Sequence, residues 1–171
     1  MKLKGFLLLF AIAGLNSSYA QSPGGTLIPE LVKHWQSSKA LSLAVAEAMP
    51  ESGYTFKASD AEMSFGEQMN HIALANASYC SAALGRKSPL SKGDDNTKAT
   101  ATKNLGIAYD YCIDGLQKLS EPDLQGTVQR QGNSVSKFEL FWGGFTHAAH
   151  HRGQAEVYLR LKNITPPSYK F

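Results

Sequence analysis

No apolar run in this sequence approaches the roughly 20 residues that a membrane-spanning helix requires. The longest, Phe6 to Leu15, lies close to the start, behind the basic head Met1-Lys2-Leu3-Lys4 and ahead of the small residues Ser18 and Ala20. That order is the pattern of a secretory signal cleaved after Ala20. Residues 1–20 are therefore expected to be removed, and residues 21–171 to form a single exported domain in the periplasm or outside the cell. No cysteine follows the expected cut, which argues against a lipid anchor there and leaves no membrane anchor after processing. Charge is sparse too. The formal charge of +3 falls to +1 without Lys2 and Lys4, the remaining Lys and Arg are scattered, and no aromatic residues alternate with them. Nucleic acid as a partner is excluded on both counts.

Strand patterns and internal repeats are also lacking. Helical spacing of Leu31, Trp35, Ala40/Leu41 and Val45 predicts a first helix over 28–49. Ser64-Phe65-Gly66-Glu67 reads as a capping box that starts a second helix, which runs to Leu84 and is stopped by Gly85. After a linker over 86–94, Asp95 offers an N-cap for a third helix over 96–119, ended by Ser120-Glu121-Pro122. A polar connection over 121–134 leads to a second capping box, Ser136-Lys137-Phe138-Glu139, and to a fourth helix reaching Asn163. Four amphipathic helices in about 150 residues imply an all-α four-helix bundle.

Cysteine is scarce as well: Cys80 and Cys112 are the only two. An exported protein commonly pairs its cysteines. Cys80 lies 16 residues beyond Ser64 and Cys112 lies 17 beyond Asp95. At about 1.5 Å per residue they are level only if helices two and three run parallel; antiparallel helices would leave them roughly 18 Å apart. Cα atoms bridged by a disulfide lie about 4.4 to 6.8 Å apart. The pairing thus predicts an up-down-down-up order, with a linker of roughly ten residues that must cross the bundle and can reach about 33 Å.

The residues with chemistry are histidines. In His147-Ala148-Ala149-His150-His151 only His147 and His151 are four apart, stacked on one helix face so that both can reach a single ion. His150 points about 100 degrees away from His151. A zinc protease would carry Glu directly after the first His, where Ala148 stands. A structural zinc site usually closes its shell with four protein ligands, whereas three with an open position suit catalysis. His71, in the middle of helix two, is placed to supply a third. His34, without a partner at ligand spacing, reads as a partly exposed histidine.

Two stretches together, Ser64-Phe65-Gly66-Glu67-Gln68-Met69-Asn70-His71-Ile72 and His147-Ala148-Ala149-His150-His151-Arg152-Gly153-Gln154 with Tyr158-Leu159-Arg160-Leu161 and Pro166-Pro167 beyond, resemble the DinB/YfiT-like family of metalloenzyme-type bundles. The resemblance implies a four-helix bundle often paired as a homodimer, and one divalent ion, zinc or nickel foremost, held by His71, His147 and His151. It also implies a metal-dependent hydrolase or thiol transferase that activates water or a thiol against a small electrophilic substrate. Export weakens the thiol analogy. The alternative is a non-catalytic helical module with a structural metal or none. Around the triad, Glu67, Gln68, Gln154 and Tyr158 are placed to orient imidazoles or touch substrate, although Glu67 already has a complete role in its capping box. Arg152 has two readings, as part of the family motif or in an interface ion pair. Gly143-Gly144, costing about 1 kcal/mol each in a helix interior, reflect either close helix packing or room for substrate.

Overall fold

The computed structural model describes residues 27–93 and 95–169, so the expected leader lies outside the described residues. Four long helices, α1 (Leu27–Ala48), α2 (Phe65–Leu84), α3 (Lys98–Gln117) and α5 (Lys137–Leu161), form the bundle. A short α4 (Glu121–Gln125) and a hairpin of β1 (Thr127–Arg130) and β2 (Asn133–Ser136) precede α5. Among the described residues no helix is long and apolar enough to cross a membrane.

Side-chain partners fix the direction of every helix. Along α2 and α3, Asn70 bonds Asn96 and Asn104, Ser81 meets Tyr111, and Cys80 is disulfide-bonded to Cys112 with their Cα atoms 5.4 Å apart. Residue numbers rise together, so these helices are parallel. Lys39 pairs with Asp110 while Glu47 pairs with Lys98, so α1 and α3 are antiparallel. Gln68 lies beside His151 while Tyr79 lies beside Gly143, so α2 and α5 are antiparallel as well. The order is up-down-down-up.

What lets the helices approach is the size of their inner residues. Ala73, Ala77, Cys80 and Ala83 are fully buried along α2, as are Ala101, Ala108 and Cys112 along α3, where Cys112 is bridged to Cys80. Trp35 fills the other half of the core, edge-on to Tyr109 and Phe141. Such small-against-small seams keep dispersion contacts dense, and a core packed to that density leaves little freedom in the axial register of α2. That register sets the height of its histidine.

Helix ends differ from the sequence expectation in instructive ways. The Ser64–Glu67 capping box forms in full, and the Ser136 hydroxyl accepts from the Glu139 N–H. The cap of α3, however, is Thr97 and not Asp95. Asp95 instead takes the Thr97 N–H at 2.9 Å and the Thr100 hydroxyl, which props the capping residue from outside. Starting α3 at Lys98 also leaves residues 85–97 for the crossover, with a reach of about 43 Å against the about 30 Å length of α2. That reach is longer than the about 33 Å expected of a ten-residue linker.

The polar connection expected over 121–134 is not irregular. Ser120 and Asp123 make a capping box that starts α4, with Pro122 in its first turn, and the Glu121 carboxylate accepts the Ile28 N–H at 3.0 Å. In the hairpin, Val128 pairs with Val135, and Gln131 and Gly132 turn the chain at φ 50° and 82°. Two successive residues in the left-handed region make the tight turn that suits the right-handed twist of paired strands.

Candidate metal centre

Three imidazoles converge between α2 and α5. Gln68 and His71 lie one turn apart on α2, while His147, His151 and Gln154 lie along one stripe of α5. Antiparallel packing brings the two stripes face to face. His71 Nε2 is 3.2 Å from His147 Nε2, and the ring centroids lie 4.9 Å (His71–His147), 4.4 Å (His71–His151) and 4.4 Å (His147–His151) apart. One nitrogen from each residue falls within 4.8 Å of the others. Nitrogens on a tetrahedral ion at about 2.0 to 2.1 Å would sit about 3.3 Å apart, so the arrangement needs only small ring adjustments to close on a metal. All three rings are half-buried.

The rings are also oriented. Gln68, only 1% exposed, donates through Nε2 to Gln154 Oε1 at 3.3 Å and so presents Oε1 to His151 Nδ1 at 2.9 Å. An amide oxygen only accepts, hence His151 carries its proton on Nδ1 and keeps the Nε2 lone pair free for the centre. His147 Nδ1 is buried without a hydrogen-bond partner, so its polar contact is made through Nε2, toward His71. Burial lowers the pKa of all three. His147 is pushed down further by the charges of His71 and His150, and His151 falls to about 4 through burial, His147, His71 and His150. Neutral imidazoles facing inward are the protonation state a metal takes.

A pH dependence follows. Each folded pKa lies below the unfolded value near 6.5, so the unfolded chain takes up protons first and stability falls as pH drops. In metal-free protein the melting temperature is expected to decline from about pH 6.5 and to level off for these groups near pH 4, where His151 itself charges. Melts of wild type and His151→Ala over that interval check this; an equal slope in both would refute it.

The remaining expected site residues divide. Glu67 spends its carboxylate on the Ser64 N–H at 2.6 Å, and its bonds to Ser64 hold its pKa low. It nonetheless borders, with Met63, Asn70, His71, Leu74 and Lys92, an open groove of about 500 Å³ beside α2. Tyr158 does not reach the imidazoles: its hydroxyl donates to the Met63 carbonyl at 2.8 Å and its ring packs edge-on to Phe56. Four residues further than Gln154 along α5, it belongs to the turn that meets the loop before α2. Arg152 is not at a surface. It is 6% exposed and donates to Ser38 and Ser42 at 2.9 and 3.4 Å, hydroxyls that both meet Tyr109. His34 packs edge-on to Phe145, and His150 is exposed beside His151.

Gly143 and Gly144 are explained by packing. A Cβ at Gly143 would stand 3.0 Å from Tyr79 Cε1, and one at Gly144 would stand 3.2 Å from Tyr79 Cβ and 3.4 Å from Trp35 Cη2. Tyr79 fills the space that the glycines leave, and its ring centre is 6.1 Å from that of His147. This neighbour was missed in the sequence, although it lies two helical turns beyond His71 on the same helix. Arg130, whose guanidinium lies over the Tyr79 ring, was missed along with the hairpin that carries it.

A helical bundle with three half-buried imidazoles converging between two antiparallel helices is an arrangement that could hold a metal ion. Residues 34–155 match the model of the DinB superfamily, and the chain belongs to that family. Among solved structures, a DinB-like protein from Bacillus subtilis is 22% identical, covering 82% of this chain and 97% of its own, with a TM-score of 0.70. A DinB-like protein from Bacillus cereus is 16% identical, covering 84% and 97%, with a TM-score of 0.71. These likenesses establish the fold. The search of curated proteins found no match.

Proposed function

We propose that this protein is a metal-dependent enzyme that uses His71, His147 and His151 to hold one divalent ion, zinc or nickel foremost, and acts on a small electrophilic substrate. The observation that carries this reading is the half-buried triad of neutral imidazoles beside an open groove. Three nitrogen donors suit zinc and nickel alike and leave a coordination position for an exogenous ligand. When bound, such an ion lowers the pKa of a water or thiol at that position toward about 7. The chain's own contribution is orientation: Gln68 and Gln154 lock the His151 tautomer, and the α2–α5 seam sets the separation of the rings. The groove bordered by His71 and Glu67 gives a substrate its approach. The leader, if it directs export as its sequence suggests, favours water over a thiol, since small thiols are scarce outside the cytoplasm.

Elemental analysis of the protein purified without a metal-affinity tag is expected to find about one ion per chain, or the apoprotein to take up one equivalent of zinc or nickel. Failure to bind either at stoichiometry would end the metal reading. In the cobalt-substituted protein, a visible spectrum that shifts on adding a small thiol supports the open position; a spectrum indifferent to every added ligand would reduce the ion to a structural tie.

A further inference from the structure

Arg130 has no part in the centre described above, yet the fold places it beside one of its ligands. Along β1, Val128 and Arg130 are the partly buried residues and Thr127 and Gln129 the exposed ones, so the strand turns the arginine inward. Val128 and Val135, opposite each other in the ladder, pack on the core and hold the hairpin to the bundle. The Arg130 guanidinium carbon lies 4.3 Å from the centre of the Tyr79 ring, and that ring lies 6.1 Å from the ring of His147. Those two contacts end to end are the most that can separate the guanidinium from the imidazole.

The guanidinium is held but not neutralised. Among the described residues the ion pairs join Lys39 to Asp110, Lys98 to Glu47 and Arg160 to Glu156, and neither a carboxylate nor a hydrogen-bond acceptor engages the Arg130 side chain. A planar cation resting on an aromatic face keeps its N–H edge available, and that edge matches an oxyanion through two parallel hydrogen bonds. Tyr79 is itself seated against Gly143 and Gly144, so the platform is fixed by the same helix that bears His147.

We propose that Arg130 is a specificity-determining residue that recognises an oxyanion, foremost a carboxylate, carried by the substrate at a distance from its reacting group. This inference rests on the metal-centre reading for the place of the reacting group, and on the hairpin and Tyr79 for the anion. Substrates of this site are thus small anionic molecules, bound by a metal-directed end and an arginine-directed end.

The test uses the full chain loaded with cobalt and titrated with mercaptocarboxylates from mercaptopropionate to mercaptohexanoate, against mercaptoalcohols of matched length. At the best-fitting length the carboxylate is expected to bind at least about tenfold more tightly than the alcohol, since a charge-assisted bond to a fixed guanidinium is lost in the alcohol. Arg130→Gln should erase that preference and leave binding of the alcohol unchanged. Equal binding of acid and alcohol at every length, or a preference that survives Arg130→Gln, would overturn the proposal. A second measurement is independent of metal: in the metal-free chain, hexanoate but not hexanol should shift the Arg130 Nε–H and Tyr79 ring resonances. If hexanoate shifts them while no thiol perturbs the cobalt spectrum, the metal reading fails and the anion site stands. If they do not move, the anion site is refuted whatever the metal does.

Discussion

Replacing both Cys80 and Cys112 with alanine is expected to lower the unfolding free energy by roughly 3 to 4 kcal/mol, the loop-closure entropy of a bridge across about 30 residues. The two sulfurs are fully buried and their residues stand 32 apart in the chain. In a domain of this size that loss corresponds to a fall of roughly 10 °C in the melting temperature. The bridge acts where the topology is most expensive. Parallel α2 and α3 need a crossover over residues 85–97, and the unfolded chain without the bridge is free to separate the two helices along that whole segment. Reduction of the wild type should reproduce the shift, and the double variant should be insensitive to reductant. A wild-type melt that reductant leaves unchanged would refute the bridge. Metal content below the transition should be equal in both forms, because the disulfide joins α2 to α3 while the triad lies between α2 and α5.

The extents of the long helices followed from hydrophobic spacing and two serine caps, which are local, and their up-down-down-up order from the levels of two cysteines expected to be bridged. Asp95 was misread because Asp, Ser and Thr share one capping chemistry, and the choice of Thr97 depends on what Asp95 does outside the helix. Thr127-Val128-Gln129-Arg130 and Asn133-Ser134-Val135-Ser136 carry only one apolar residue each, too little periodicity to announce strands; the Gln131-Gly132 turn was the available signal. Tyr158 continued the histidine stripe in sequence, but a helix stripe drifts relative to its neighbour, and by that point the facing chain is the loop at Met63. Gly143 and Gly144 were ambiguous because their partner, Tyr79, lies on another helix. Spacing alone paired His147 with His151, whereas bringing His71 to them required the register of α2 against α5, which is a property of packing.

That register yields graded outcomes at the centre. His147→Ala or His71→Ala is expected to abolish stoichiometric metal binding, since two imidazoles remain where three converge. His150→Ala, although its ring is 4.9 Å from that of His151, should bind metal as the wild type does, because the residue is exposed and lies off the ligand stripe. Gln68→Ala leaves all three ligands in place but removes the acceptor of the His151 Nδ1 proton, and its expected cost is about ten- to a hundredfold in metal affinity. Gln68→Glu separates orientation from mere bulk. A carboxylate at that position still accepts from Nδ1 and increases the basicity of the ring, so affinity should remain near that of the wild type despite the lost donation to Gln154. Competition titrations of zinc or nickel against a chelator would resolve the series. If Gln68→Ala and Gln68→Glu weakened binding equally, the glutamine would be a packing residue, and the position of His151 would owe nothing to its tautomer.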